Sequence, residues 1–281
     1  MSVTSDNSFH KVTTRPNWEG IIFTGLDFSD QRISISEALP TEELKDHIEY
    51  IWFMEWALAE SESLPCILAP NPCAKLVMFR RNDKPSAPVV FGTNKEAKIF
   101  KLQGSGASVG FDFKPGALFN FLGKPMTTFP EEGIPAEDLF KIFPQALVQS
   151  WTEKNLSKWV QDIQIALSSI LAAAPENHYK QIAPLIDKVL KGSFGKPEDM
   201  ATNSGISLRS LQRIFQKEIG VSPRDLLRMN RFNEAIRRIS GGDFKEFVDV
   251  ALESGFFDQP HMAHEFKKLV DSEPSKFRRY L

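Results

Sequence analysis

One sequence pattern occurs twice near the end of the chain, about fifty residues apart. Each copy contains Ala-x-x-x-Gly, an apolar residue and then an amphipathic run that holds a Phe, with a Pro eight residues after that Phe. Glycine adopts positive φ in a turn at no steric cost, and a small alanine lets two helices cross closely. The repeat therefore predicts two helix-turn-helix units. The residues that define the two copies are Ala201, Gly205, Ile206, Phe215 and Pro223, and Ala251, Gly255, Phe256, Phe266 and Pro274.

The charge of the chain is divided unevenly between its two ends. The whole chain of 281 residues has a formal net charge of −2, from 34 Lys and Arg against 36 Asp and Glu. Residues 178–281 hold 18 basic and 14 acidic residues, a net of +4, which leaves 16 against 22, a net of −6, for the rest. A basic end on an acidic front is typical of a DNA-binding domain joined to a domain with another role.

The front of the chain has the pattern of a β-rich domain. Residues 18–113 contain short runs of period two, separated by clusters of Pro and Gly, which predict a sandwich or barrel. A Gly-rich stretch at 104–110 is interpreted as a hairpin turn between two such runs. Helical patterns follow from Pro115 onward. The predicted fold class is therefore α+β: a β-rich N-terminal sandwich or barrel, then helices, then an all-α domain with two helix-turn-helix units.

These patterns predict three consecutive parts. Residues 1–140 form a β-rich sensing or regulatory domain, 141–177 a helical dimerisation or linker region, and 178–281 the DNA-binding domain. The strongest helical pattern lies at 155–173, where apolar residues recur at intervals of three and four. This apolar stripe either packs on the β-rich domain or meets its twin in a homodimer, and the sequence leaves both alternatives open. The stripe consists of Leu156, Trp159, Val160, Ile163, Ala166, Leu167, Ile170 and Leu171.

The tail resembles the DNA-binding domain of the AraC/XylS family of bacterial transcription regulators. Residues 207–223 are close to the first recognition helix of that family and its exit, and residues 255–268 are similar to the second. The resemblance implies that the two helices enter major grooves about one DNA turn (~34 Å) apart. By motif position and side-chain chemistry, the candidate DNA-binding residues are Arg209, Gln212, Arg213, Gln216, Gln259, His261, His264 and Lys267.

Two positions depart from the family pattern in the second unit. Asp271 stands where the family usually has Gly, and His264-Glu265 stands where Ser-Arg is common. Glu265 is expected to place a negative charge near the DNA phosphates. We therefore expect the first unit to supply more of the affinity than the second.

The resemblance also implies the partners of the chain. These are double-stranded DNA, RNA polymerase, a second copy of the chain in a homodimer, and a small-molecule effector for the front domain. The front resembles an N-terminal domain often joined to this tail, in motifs at 49–52, 72–77, 110–117 and 122–125. An alternative is a front domain controlled by a protein partner, with no small-molecule ligand. The family role is that of an activator, although the sequence does not distinguish activation from repression.

Other function classes receive little support from the sequence. Only two of the five histidines, His10 and His47, lie outside the tail. An enzyme that uses histidine as its general base would therefore have few candidate residues. A DNA-repair methyltransferase carrying this tail would need more than Cys66 and Cys73. His261 and His264 lack a third metal ligand nearby. We expect no enzyme activity, no cofactor and no metal. The polar N-terminus and the absence of an apolar run of ~20 residues predict a cytoplasmic protein without a membrane span.

Overall fold

The computed structural model describes residues 10–11, 21–23, 32–81, 84–140, 155–174, 179–242 and 244–277. Within these ranges the front of the chain is built from strands, and the tail from helices alone. None of the helices in the described ranges has the length and apolar character needed to cross a membrane. The predicted α+β fold class is confirmed.

The strands of the described ranges form two antiparallel sheets. The larger has the order β1-β3-β4-β10-β6-β8-β11, with β7 paired to β6, and the smaller has the order β2-β5-β9. The strands are β1 (His10–Lys11), β2 (Ile21–Phe23), β3 (Ile33–Ala38), β4 (Ile48–Ala57), β5 (Ser63–Leu68), β6 (Lys75–Arg81), β7 (Lys84–Pro85), β8 (Val89–Phe91), β9 (Lys98–Gln103), β10 (Ser105–Phe113) and β11 (Ile134–Pro135).

The turn at Gly104 joins the two sheets. Gly104 has φ 56°, as a turn glycine requires, but β9 pairs with β5 whereas β10 pairs with β4 and β6. The interpretation of this stretch as a hairpin is therefore wrong. Period two identifies each strand, but it carries no information about which strand is its neighbour.

The larger sheet buries both of its faces. Along β10, Val109 and Phe111 point to a core shared with the helices, while Ser108 and Asp112 point to the opposite side. On that opposite side the rings of Trp52 and Trp56 lie over two glycines of β10. A Cβ at Gly110 would come within 2.3 Å of the Trp52 ring, and one at Gly106 within 2.3 Å of the Trp56 ring. The tryptophans are thus core residues that require glycine beneath them.

The helices that follow the strands cover one face of the larger sheet. They are α1 (Ala117–Leu122), a 3-10 turn (Met126–Thr128), α2 (Ala136–Leu139) and α3 (Leu156–Ala172). Trp159, Ile163 and Leu167 of α3 are fully buried in the same core as the inner face of the sheet. The apolar stripe at 155–173 therefore packs within the chain and is not available as a dimer surface. A homodimer would therefore have to form through another surface. Residues 141–154 of the predicted dimerisation or linker region lie outside the described residues.

The tail consists of α4 (Tyr179–Leu190), α5 (Pro197–Ser204), α6 (Leu208–Ile214), a π turn (Phe215–Ile219), α7 (Pro223–Gly241), α8 (Phe247–Glu253), α9 (Gln259–Val270) and α10 (Pro274–Phe277). Two apolar clusters hold it together. One surrounds α5 and α6, the other surrounds α8 and α9, and the long helix α7 contributes side chains to both. The proposed boundary at residue 178 lies outside the described residues.

Candidate nucleic-acid interface

The first helix-turn-helix unit consists of α5, a glycine turn and α6. Gly205 ends α5 with φ 67°, the left-handed conformation predicted for it. Ser207 then caps α6 by accepting a hydrogen bond from the backbone N–H of Ser210 at 3.2 Å. This cap satisfies one of the N–H groups that a helix start leaves without a partner. The turn and the cap together fix the direction of α6.

The core contacts of α6 decide which of its side chains face outward. Leu211 and Ile214 are buried in the cluster around α5. On a helix of 3.6 residues per turn, this places positions 209, 212 and 213 on the other side. Arg209, Gln212 and Arg213 are indeed exposed, while Gln216 is half-buried and lies in the π turn that follows α6. The structure therefore places three of the four candidate residues of the first unit on one face of α6.

The second unit repeats this construction with α8 and α9. Gly255 has φ 81° in the turn, and Asp258 caps α9 by accepting from the N–H of His261 at 2.7 Å. Met262, Phe266 and Leu269 of α9 are buried against α7 and α8. Four candidate residues lie on the remaining, broader side of α9: Gln259, His264 and Lys267, which are exposed, and His261, which is half-buried.

The helices α6 and α9 end differently. The first continues into the π turn Phe215–Ile219 and stops at Gly220 with φ 89°. The second runs as regular α-helix to Asp271, which has φ 50° and is the one described non-glycine residue with positive φ. Asp271 is also bound by Lys267, whose Nζ lies 2.6 Å from Asp271 Oδ1. The hydrogen bond that Lys267 donates lowers the pKa of Asp271, and the positive charge of Lys267 lowers it further.

The sequence predicts that Glu265 lies near the DNA phosphates, but its side chain points toward α7. Its side chain is 12% exposed, and its carboxylate faces α7, where Oε2 lies 3.6 Å from Nε of Arg228. On the same helix, burial lowers the pKa of Arg231, and the charge of Glu265 partly offsets that effect. The expectation that Glu265 adds a negative charge beside the phosphates is therefore wrong. Its charge faces two arginines of α7, and it helps to hold the second unit on that helix.

One exposed residue at this surface, Phe257, was not predicted from the sequence. Phe257 lies in the turn before α9, and its side chain is 84% exposed, the highest value among the large apolar side chains of the described residues. The pair Phe256-Phe257 is visible in the sequence, but the helical pattern does not reveal which of the two rings is buried. The structure buries Phe256 and exposes Phe257.

Comparisons with known proteins agree with this geometry. A family model described as a helix-turn-helix domain matches residues 200–280, and one described as a domain of unknown function (DUF6597) matches residues 36–135. The protein named "Probable transcription factor PqrA" of Proteus vulgaris is 33% identical over 104 residues, which are 37% of this chain and 84% of that protein. The "HTH-type transcriptional activator AarP" of Providencia stuartii is 31% identical over 81 residues, 29% of this chain and 59% of AarP.

Among solved structures, ToxT from Vibrio cholerae O395 aligns over 97% of this chain and 98% of its own, with a TM-score of 0.39 and 11% identity. The helix-turn-helix match and the curated relatives define the class: a DNA-binding transcription regulator. The chain belongs to the AraC family of these regulators.

Proposed function

We propose that this chain is a sequence-specific regulator whose helices α6 and α9 read adjacent major grooves. The observation that carries the proposal is the repeated geometry of the two units. Each has a left-handed glycine turn, an N-cap side chain and a buried apolar stripe that leaves the candidate residues on the outer side. Phosphate contacts from Lys and Arg would fix the register, and side chains of the two helices would read the bases.

Selection of binding sites from random duplexes tests this proposal with the full chain. The expected motif has two blocks whose centres lie about one helical turn, roughly 10 base pairs, apart. Binding to the selected duplex should weaken steeply as salt rises, because phosphate contacts release counterions. A motif with a single block would contradict the use of two recognition helices.

We further propose that the front domain controls the DNA-binding domain through the segment 92–97. Thr93 lies against the end of the first recognition helix, where a Cβ on Gly220 would meet Thr93 Oγ1 at 2.7 Å. Ala97 donates its backbone N–H to the carbonyl of Leu269 in α9 at 3.0 Å. Two residues of this short segment, Thr93 and Ala97, therefore contact the ends of the two recognition helices.

The segment is firmly attached to the front domain. The backbones of Asn71 and Asn94 exchange two hydrogen bonds of 2.8 Å, and the Asn94 side chain donates to the carbonyl of Ala69 at 3.1 Å. Ala69 in turn packs in the cluster of the second unit. A signal that moves this attachment would change the relative position of the two recognition helices. It can do so only if it binds the two arrangements with different affinity.

The source of that signal is a small-molecule effector or, as the alternative, a protein partner. The rings of Trp52 and Trp56 fill the space over Gly106 and Gly110, so an effector site would have to lie elsewhere in the front domain. A thermal-shift screen of metabolites on the full chain separates the two alternatives. A specific small-molecule effector must raise the melting temperature through mass action. If no metabolite does so while a protein captured by the front domain does, the alternative is correct.

The remaining proposals follow the family. We propose that the chain acts in the cytoplasm as an activator that contacts RNA polymerase, and that it forms a homodimer through a surface other than the stripe of α3. AarP, one of the relatives, is named an activator. Sedimentation of the full chain tests the homodimer, and transcription in vitro with purified polymerase tests activation.

A further inference from the structure

The turn before α9 contains two consecutive aromatic residues, of which one has a buried ring and the other an exposed ring. Phe256 is buried and packs edge-on against the ring of His261, with 5.5 Å between the ring centroids. Phe257 is exposed and comes directly before Asp258, the residue that caps α9. Phe256 thus anchors the turn in the core, while Phe257 stands outside the core beside the start of the recognition helix.

His261 closes the same turn with both its backbone and its ring. Its backbone N–H donates to Asp258 Oδ1, and its ring Nδ1 accepts from the backbone N–H of Phe257 at 3.3 Å. A backbone amide N–H can only donate, so Nδ1 must present its lone pair. In a neutral imidazole the proton then lies on Nε2. The turn therefore makes His261 a hydrogen-bond donor at Nε2.

We propose that His261 and Phe257 are specificity-determining residues of the second unit. His261 donates Nε2–H to a base in the major groove, and Phe257 contacts the methyl group of a neighbouring thymine. This inference rests on the proposed function of α9, since the N-terminal residues of a recognition helix are those that meet base edges. Phe257 lies two residues before the first residue of α9. DNA bound by that helix would therefore also cover the exposed ring of Phe257.

The tautomer limits the bases that His261 can read. In the major groove guanine presents two acceptors, O6 and N7, adenine and thymine present one each, and cytosine presents the N4 donor. A side chain that can only donate from Nε2 therefore rejects cytosine and pairs most readily with guanine, which offers the larger number of acceptors. An apolar ring beside it favours thymine, because the C5 methyl group is the one apolar feature of that groove.

Two variants of His261 separate base reading from the closure of the turn. In His261→Asn the amide oxygen can replace Nδ1 as the acceptor for Phe257, but no donor reaches the position of Nε2. In His261→Gln the amide can pair with adenine in the bidentate manner. Site selection with the full chain should show guanine at one position for the wild type. The preference should fall about 2- to 10-fold at that position alone in His261→Asn, and should shift to adenine in His261→Gln.

A change in the DNA tests the role of Phe257 first with the wild-type protein. Deoxyuridine has the same hydrogen-bonding edge as thymidine but lacks the methyl group. Replacing the neighbouring thymine by deoxyuridine should weaken binding of the wild type by about fourfold, the value of one buried methyl group. Phe257→Ala should bind both duplexes equally. Equal binding of both duplexes by the wild type would overturn the role of Phe257.

The nitrogen resonances of the His261 ring test the tautomer directly in the free protein. A neutral ring with the proton on Nε2 is expected, and a proton on Nδ1 would overturn the inference. Gln259→Ala distinguishes this failure from failure of the proposed function. If Gln259→Ala alters the selected site while His261→Asn leaves every position unchanged, only the present inference is wrong. If neither variant alters the site while Arg213→Ala does, α9 reads no bases, and the proposed function fails with it.

Discussion

The two helix-turn-helix units share one sequence pattern but are attached to the rest of the molecule in different ways. The first ends in a π turn whose Gly220 lies against Thr93 and Met126 of the front domain. The second is joined to α7 through Glu265 and Arg228 and contacts the front domain through the carbonyl of Leu269. A repeat in sequence thus preserves the geometry of the outer faces, while the inner contacts differ. We therefore expect changes on the outer faces to affect DNA binding, and changes at the attachments to affect stability or control.

The largest expected effect comes from the repeated phenylalanines. Phe215 and Phe266 are fully buried, each in the apolar cluster of its own unit. Phe215→Ala and Phe266→Ala should each lower the free energy of unfolding by about 3–5 kcal/mol, as measured by denaturant titration. Hydrogen exchange should show the loss of protection confined to the unit that carries the change. If either change loosens both units equally, the two clusters are not separate.

The contact at Gly220 should be the most sensitive attachment of the first unit. Gly220→Ala combines an unfavourable left-handed conformation with a clash against Thr93, whereas Gly205→Ala has the same conformation with open space around the Cβ. The conformation costs about 1–2 kcal/mol in both, and the clash adds to it at Gly220 alone. The double variant Gly220→Ala with Thr93→Ala should recover the share of the added cost that Thr93 Oγ1 causes, while the contact with Met126 remains. Equal melting temperatures for the two single variants would contradict the contact.

Because Glu265 faces α7, the predicted dominance of the first unit now rests on the donor side chains Arg209, Gln212 and Arg213. Removing Arg209 or Arg213 should cost ~1–3 kcal/mol of specific binding and relax the preference for one base. His264→Ala should cost less, since a single imidazole lacks the bidentate geometry of a guanidinium. Titration of a selected duplex at fixed salt measures all three. Equal losses would remove the distinction between the units.

A smaller effect is expected from Glu265, and it should appear in stability instead of DNA affinity. Glu265→Gln removes the negative charge that faces Arg228 and Arg231, and should lower the free energy of unfolding by about 1–2 kcal/mol. The affinity for DNA should not rise, because the charge faces α7. Glu253→Gln, on the exposed side of α8, is the matched control. A rise in affinity for Glu265→Gln alone would restore the interpretation drawn from the sequence.

The smallest effect is a dependence on pH at the joint between the front domain and α4. His47 stacks on Tyr179 with 5.0 Å between centroids, and burial lowers the pKa of His47. The unfolded chain therefore binds a proton more readily than the folded one, so stability falls as pH decreases through the usual range of histidine, near 6.5. Melting temperatures from pH 8 to 5 should fall less steeply in His47→Gln than in the wild type. An identical slope would show that another group is responsible.

Local patterns predicted the parts of the molecule that depend on neighbouring residues. The helix predicted at 155–173 is found as α3, and the turn glycines Gly205 and Gly255 have the positive φ that the repeat requires. The outward position of Arg213 also follows from helical periodicity, since the buried positions of one helix determine the exposed ones.

Contacts between distant residues were not predictable in the same way. The pairing of β9 with β5, the approach of Thr93 to Gly220 and the pairing of Glu265 with Arg228 each join segments far apart in sequence. Periodicity identifies which face of an element is buried but not what buries it. The π turn was missed for a related reason, because its residues follow a helical pattern and only the geometry of the exit distinguishes it.

Methylation interference on a selected duplex tests most directly whether both units read DNA. Methylation of guanine N7 blocks the major groove, so each guanine read by a recognition helix becomes a position where modification prevents binding. Binding by α6 and α9 predicts two clusters of such positions, about one helical turn apart on one face of the duplex. In Arg213→Ala the cluster of the first unit should weaken while the other persists. A single cluster in the wild-type protein would contradict the assignment of two recognition helices.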